Sequence, residues 1–295
     1  MEMSNSYIGG LDYYSKNSNE DEAVAQSFLK QYTEGFGLSG MRILNWLDVG
    51  SGNGRKLLMI LRGFYAEFEE GNSGVYEDGF QDGLLRRHFT DINLDIVEPN
   101  GNSIETLGSR FRYEKLDGFL RDRFQNTWEQ FSGDRKYDLI TFFHSVYGID
   151  LESLARIPDF LTEDGIACIV VEAYDSAINR TKRSLSSHLS RPELMLNIGK
   201  IRQFLHERGI RYSESFGGTG QGRTPLEQRF YIDGIDDDFE ALSSLFLSKP
   251  EDQGKEVPNE LLEKFRDELR KYSRKERTGR TYVSVPDGFI WVHKK

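Results

Sequence analysis

The chain has 295 residues, 37% of them apolar, with 38 Lys and Arg against 48 Asp and Glu, a formal charge of −10. That length suits one elaborated globular domain or two small ones, and the acidic balance argues against a general affinity for nucleic acid or anionic membrane while suiting a cationic small substrate. The single cysteine, Cys168 in "GIACIVV", excludes an intramolecular disulfide and a cysteine-based zinc site and reads as part of a buried strand.

The first forty residues carry Tyr7, Tyr13, Tyr14, Phe28, Tyr32 and Phe36. They read as helices packed over the sheet edge, either a packing extension or a lid over a ligand, and define a unit over 1–42 ahead of the main domain over 43–295. Short apolar runs then alternate with helical patterns, the signature of an α/β doubly wound parallel sheet. Strands are predicted at Leu44–Val49, Leu94–Glu98, Asp138–Phe143 and Ile166–Val171, with helices at Gly54–Phe64, Asn100–Arg112 and Leu151–Leu161. A polar, glycine-rich insertion between Glu69 and Asp91 interrupts the pattern. A helix over Pro192–Arg208, opened by proline after the possible cap Ser190, ends at Gly209 before the strand "IRYSESF". Substrate-side elements are expected over about 212–280: the loop "KPEDQGKEV", a charged amphipathic helix "PNELLEKFRDELRKYSRKERTGR", and then "TYVSVPDGFIWVHKK" as one terminal strand. No window approaches the ~20 apolar residues of a membrane span, and "MEMSNSYIGG" lacks the basic-then-apolar order of a signal peptide. The expected compartment is the cytoplasm.

In "LDVGSGNG" the first strand delivers Asp48 into a sharp turn, where Gly50, Gly52 and Gly54 free the backbone to approach a ligand. The GxxxxGK[ST] spacing of a phosphate loop is absent, and GxGxxG fails because the third glycine arrives one residue early. The next strand, "LDIVEPN", ends in Glu98, suited to accept hydrogen bonds from both hydroxyls of a ribose. In a plain dinucleotide fold that acid follows the glycines by ~20 residues; here the insertion pushes it to roughly twice that distance.

The order "LDVGSGNG", "LDIVEPN", "YDLITFFHSVYGI", "LTEDGIACIVVEA" resembles the class I S-adenosylmethionine-dependent methyltransferases. Within them it is most similar to the histamine N-methyltransferase family, on the further strength of the aromatic N-terminal segment, "FYIDGIDDDF" and the closing "GFIWV". The resemblance covers nearly the whole chain and implies S-adenosylmethionine as cofactor, S-adenosylhomocysteine as product and a Rossmann-like methyltransferase sheet. It implies that Gly50, Ser51 and Gly52 approach the methionine moiety, that Glu98 binds the ribose, and that Asp117 or Gly118 lies beside the adenine. Phe143 would face the cofactor from the end of the fourth strand. Ser103 falls where the family has a cofactor-contacting glutamine, and Glu22, with Asp21 as the alternative, at its N-terminal glutamate.

On the substrate side, "FFHSVYGID" sits at the carboxyl end of a strand, where a doubly wound sheet opens toward its ligand. His144 and Tyr147 are the candidates for substrate contact and proton transfer, with a hydrogen-bonded structural histidine as the competing reading. In the resembling family the His144 position is a glutamine that meets the substrate, and Gly148 replaces the second of two tyrosines, widening the pocket. Tyr13, Tyr14, Tyr174 and Phe216 could offer aromatic faces to a cationic acceptor, and Glu172 and Asp175 could attract an ammonium group. Val285 stands where the family has its histamine-binding asparagine, with Asp287 nearby, so an amine other than histamine is expected.

The expected partner is a small molecule, with no nucleic acid, no membrane, no metal and a monomeric chain. The alternatives are O- or S-methylation, an NAD- or FAD-dependent oxidoreductase on the same fold, a nucleic-acid methyltransferase or binding module resting on "RKYSRKERTGR", Arg121, Arg123, Arg135 and Lys136, and a ligand-binding protein without turnover.

Overall fold

In the computed structural model, residues 13–35, 43–65, 91–185, 196–216, 227–233 and 258–294 are described. Strand β1 (Ile43–Val49) lies beside β2 (Asp91–Val97) and β4 (Tyr137–Phe143), and all three are buried along most of their length because helices cover both faces of a parallel sheet. Adding β3 (Leu120–Phe124), β5 (Leu161–Glu172), β6 (Tyr212–Phe216) and β10 (Asp287–His293) gives seven strands in the order β3-β2-β1-β4-β5-β10-β6. The sheet is parallel except for β10, which runs antiparallel between β5 and β6. The expected doubly wound α/β architecture is what the chain adopts.

One face is covered by α1 (Glu20–Gly35), α2 (Arg55–Tyr65) and α3 (Gly101–Tyr113). Helix α1 buries Val24, Ala25, Phe28, Leu29 and Tyr32 in the same cluster as Trp46, Phe143 and Trp291. The Phe28 ring lies 6.2 Å from Trp46, 5.2 Å from Phe143 and 5.8 Å from Trp291. This helix therefore crosses the sheet face instead of its edge, and its acidic first turn, Glu20 to Glu22, points toward the strands' carboxyl ends. The other face is filled by Trp128, Phe131, Leu154, Phe160 and the apolar stripe Ile198, Ile201, Phe204 and Leu205 of α6 (Ile198–Glu207), which opens on the Asn197 cap. The proline start and Ser190 cap expected for this helix lie outside the described residues, as do the insertion up to residue 90 and the "KPEDQGKEV" loop.

Three expectations change in the structure. The helix expected at Leu151–Leu161 is a 3-10 segment, Leu151–Arg156, followed by one turn, α4 (Ile157–Phe160), because Pro158 can sit only in a first helical turn; Leu161 already begins β5. The stretch "LRDRF", unassigned from sequence, is β3, an edge strand whose alternating charges face water. The single C-terminal strand splits at Pro286, which has no N–H for a ladder. Residues Thr281–Ser284 (β9) join a three-stranded antiparallel sheet with β7 (Arg229–Tyr231) and β8 (Ser273–Lys275), while β10 enters the main sheet. Helices α5 (Ala177–Ser184) and α7 (Asn259–Lys271) pack on this small sheet around Phe230, Phe265 and Val283. None of the described helices is long and apolar enough to cross a membrane.

Candidate functional site

The strand order reverses between the parallel neighbours β1 and β4, so the connections leaving their carboxyl ends run to opposite sides and open a crevice there. The glycine loop rises from β1 on one side and His144 and Ser145 from β4 on the other. Gly50 has φ 72°, and a Cβ added there would stand 2.3 Å from Ser145 Cβ, so only glycine lets the two strand ends close together. Gly52, with φ 53°, has nothing within 4 Å of its added Cβ: the loop turns a bare stretch of backbone toward open space. Asp48 ties the loop down from below, accepting from Ser51 Oγ and Thr141 Oγ1, both at 2.5 Å. Burial pushes its carboxyl up to about 6.

Glu98 leaves the end of β2 and bridges the crevice floor. Its two oxygens accept from Gly52 N and Asn100 N, each at 2.9 Å, and burial holds its carboxyl above the ordinary range. The glycine loop and the acid, 46 residues apart, thus form one unit. Asn100 caps α3 by accepting from Ser103 N at 3.0 Å, so the Ser103 backbone is already engaged. Asp117 and Gly118 stand elsewhere. They are exposed, in a 3-10 turn at the amino end of β3, whereas Glu98 is level with the carboxyl end of that strand, where Glu98 N bonds Phe124 O at 3.0 Å. Just past the carboxyl end of β3, Gln125 comes close to the start of α3: a Cβ on Gly101 would lie 3.0 Å from its amide nitrogen. The alternation in "LRDRF" is the sequence signal for β3, which separates Asp117 and Gly118 from the end of the strand level with Glu98.

The second half of the crevice is a cluster of charges. His144 is one of two described non-glycine residues with positive φ, at 57°, a conformation concentrated at functional sites. It points Nε2 at Asp287 Oδ2, 2.9 Å away, and at Glu20 Oε1, 3.5 Å away. Burial disfavours its charge, but the two carboxylates outweigh burial and raise it to about 9. Glu20 also meets Lys56 Nζ at 2.9 Å; burial works against its ionisation, yet His144 and Lys56 bring it down to about 2. Lys56, in the first turn of α2 where a cation opposes the helix dipole, is held there by Glu20 and by Asp21 at 2.8 Å. Asp287 takes a second hydrogen bond from Gln228 Nε2 at 2.8 Å, and burial keeps its carboxyl above the ordinary value.

Tyr147 stacks loosely on His144, with ring centres 6.2 Å apart, and its hydroxyl accepts from Glu172 N at 3.0 Å. Glu172 accepts from Ser176 and faces the charge of the buried Lys182; burial pushes Glu172 up and Lys182 down. Tyr14 packs on Phe230 at 4.9 Å, and burial together with the Glu20 charge keeps its phenol neutral. Two buried carboxylates, Glu20 and Asp287, therefore meet one imidazole, and a third, Glu172, feels its charge.

Several expected residues gather here and others do not. His144, Tyr147, Tyr14, Asp287 and Glu172 share the cluster, and Tyr13 packs beside Tyr14 on Phe230 with ring centres 6.3 Å apart. Phe143 is buried against Phe28. Glu22 turns away, accepting from Gln26 along its own helix at 3.2 Å; the acids of α1 that enter the site are Glu20 and Asp21. Tyr174 is 55% exposed, with the Arg183 guanidinium 3.9 Å over its ring. It stands on an outer cleft of about 920 Å³ that has Asp287 in its wall, and Asp175 beside it is exposed. The side chain of Phe216 is outside the described residues. Glu20, Lys56 and Gln228 were missed: their meeting depends on α1 crossing the sheet and on a segment more than 200 residues later in the chain.

No family model matches the sequence, and no curated protein matches it. Among solved structures, the chain is similar to the YcgJ protein of Bacillus subtilis, with 13% identity over 90% of this chain and 98% of that one and a TM-score of 0.50. It is likewise similar to the plantazolicin methyltransferase BpumL, solved with a triazolic desmethylPZN analog and SAH, with 14% identity over 98% of this chain and 90% of that one and a TM-score of 0.50. The shared feature is the Rossmann-like methyltransferase fold.

Proposed function

We propose that the chain is an S-adenosylmethionine-dependent methyltransferase that acts on the nitrogen of a small-molecule amine, in the manner of the histamine N-methyltransferase family it resembles. The observation that carries the reading is Glu98, fixed by Gly52 N and Asn100 N beside a glycine whose side-chain direction is open. A carboxylate held this way has lone pairs for a ribose diol, and the open backbone at Gly52 admits a nucleoside-sized group that a methyl would obstruct. Gly50, Ser51 and Gly52 would line the methionine end, with Gln125 taking the adenine-side place first given to Asp117 and Gly118.

The bound cofactor would supply an electrophilic methyl on a sulfonium; the acceptor's lone pair forms the new N–C bond as the C–S bond breaks. The residues of the cluster then have two tasks. Glu20, Glu172 and Asp287 attract and orient an ammonium in a buried site where charge–charge attraction is strong, and orientation alone contributes ~7–11 kcal/mol to such a reaction. The ammonium must also lose a proton before its nitrogen can attack. His144, held between Asp287 and Glu20, is raised to about 9, and an incoming cation weakens its hold on its own proton, so neutral imidazole forms where it can accept one. Aromatic faces at Tyr14 and Tyr147 complete the wall.

Calorimetry with S-adenosylhomocysteine tests the reading. Wild type should bind, and Glu98→Ala should bind about 10- to 100-fold more weakly, as expected for removing a charged hydrogen-bond partner. Equal affinity in the two proteins would remove Glu98 from the site. A screen of biogenic amines with labelled methyl donor then identifies the acceptor.

A further inference from the structure

Gln228 is 6% exposed and sits one hydrogen bond beyond His144: its amide nitrogen donates to the same Asp287 Oδ2 that accepts from the imidazole. Because a carboxylate only accepts, this contact fixes which end of the amide faces Asp287. The other end, Oε1, is buried and has no hydrogen-bond partner among the described residues. Buried amide oxygens rarely stay unpaired, and this one has little freedom to turn elsewhere. Its neighbours on both sides are clamped by one residue: Asn19 donates to Glu227 O at 3.0 Å and accepts from Arg229 N at 2.7 Å. Val285 N also holds Gln228 O at 3.1 Å. Asn19 directly precedes Glu20, so the same clamp sets the amide beside the acidic turn of α1.

Gln228 Oε1 is therefore a firmly held, unsatisfied acceptor beside the charged cluster. On the reading of the protein as an amine methyltransferase, on which this inference rests, we infer that Gln228 Oε1 receives an N–H of the acceptor amine and that the pocket selects amines by the hydrogens they keep. A nitrogen attacks as its neutral form. A primary amine then offers two N–H groups and a secondary amine one, so either can satisfy Gln228 while its lone pair faces the methyl group. A tertiary amine has none. Methylation accordingly stops at the tertiary product, and quaternary ammonium is not made.

The test uses full-length protein saturated with S-adenosylhomocysteine and two probes, phenethylammonium and phenethyltrimethylammonium, which share a ring and a charge but differ in N–H groups. Titration is followed by calorimetry and by the Gln228 side-chain amide resonance, identified by its loss in Gln228→Met. Wild type should prefer the primary amine by about tenfold, the worth of one hydrogen bond to a charged donor, and the resonance should move with that probe only. In Gln228→Met the preference should fall to about twofold or less. Should Gln228→Met fail to fold, Gln228→Asn, which keeps the amide but withdraws it by one carbon, takes its place with the same expected loss. A preference that survives in the folded variant would be steric and would overturn the assignment, as would failure of wild type to bind the primary amine at millimolar concentration. Failure to bind S-adenosylhomocysteine is a separate result and overturns the methyl-donor reading instead.

Discussion

Replacing Gly52 and Gly50 by alanine, one at a time, separates what the glycine loop does for folding from what it does for binding. Both have φ in the left-handed region, at 53° and 72°, where an L-residue costs ~1–2 kcal/mol. At Gly52 that is the whole structural cost, since the new methyl meets nothing within 4 Å. A loss of this size lowers the melting temperature of a domain of 150–250 residues by about 2–8 °C, and somewhat less in a longer chain. The N–H that bonds Glu98 is unchanged, so the acid stays in place. At Gly50 the methyl would overlap Ser145 Cβ at 2.3 Å, an atom bound directly to the backbone that cannot swing aside, adding ~1–3 kcal/mol of overpacking. Scanning calorimetry should therefore rank Gly50→Ala well below Gly52→Ala in stability. Titration with S-adenosylhomocysteine should show Gly52→Ala, although folded, at least about tenfold weaker than wild type, because its methyl occupies the space the ligand needs. Undiminished binding by Gly52→Ala would refute the placement of the nucleoside against this loop.

Other measurements probe the remaining elements. Phe28→Ala removes a ring shared by β1, β4 and β10 and should destabilise the protein by roughly 3–5 kcal/mol; a loss below about 1 kcal/mol in urea unfolding would mean that α1 is a detachable cover. Gln125→Ala should weaken S-adenosylhomocysteine binding while Asp117→Ala leaves it unchanged, and the reverse result would restore the amino end of β3 as the adenine side. His144, raised to about 9 from an unfolded value near 6.5, contributes stability that is complete below pH 6.5 and lost as pH rises through 9, amounting to roughly 3 kcal/mol at most. Glu20, lowered to about 2, contributes in the opposite sense, fully above its unfolded value and lost as pH falls toward 2. The stability gap between wild type and His144→Gln should therefore narrow between pH 6.5 and 9.5, and a constant gap would show that the carboxylates do not hold the imidazole's charge. Methyl transfer should rise over that same alkaline range as neutral imidazole forms, and a rate that falls there would remove His144 as the proton acceptor.

What could be read from the sequence follows from how local each signal is. The core strands β1, β2, β4 and β5 announce themselves because burial on both faces concentrates apolar residues in short runs, and the glycine loop because its backbone geometry is written in consecutive residues. Edge strand β3 is masked by its charges, so the sequence alone does not show that Asp117 and Gly118 stand at its amino end, away from Glu98. Pro286 did mark the break between β9 and β10, yet alternation on both sides hid that the two halves serve different sheets. Glu20, Gln228 and Asp287 converge on His144 only after α1 crosses the sheet and β10 inserts into it, and no local pattern records such a meeting.

The position of β10 also governs when the site can exist. This strand is the latest of the described strands to be synthesised, yet it lies inside the sheet, between β5 and β6. During translation β6 has no edge to join until residues 287–293 have left the ribosome, some 70 residues after β6 itself was made. Pairings of such long sequence separation form late and leave strand edges exposed meanwhile. The strand that closes the sheet also delivers Asp287, so a nascent chain cannot complete its charged cluster ahead of its fold. Stalling synthesis just before residue 287 should give chains that are captured by chaperones and do not retain an amine.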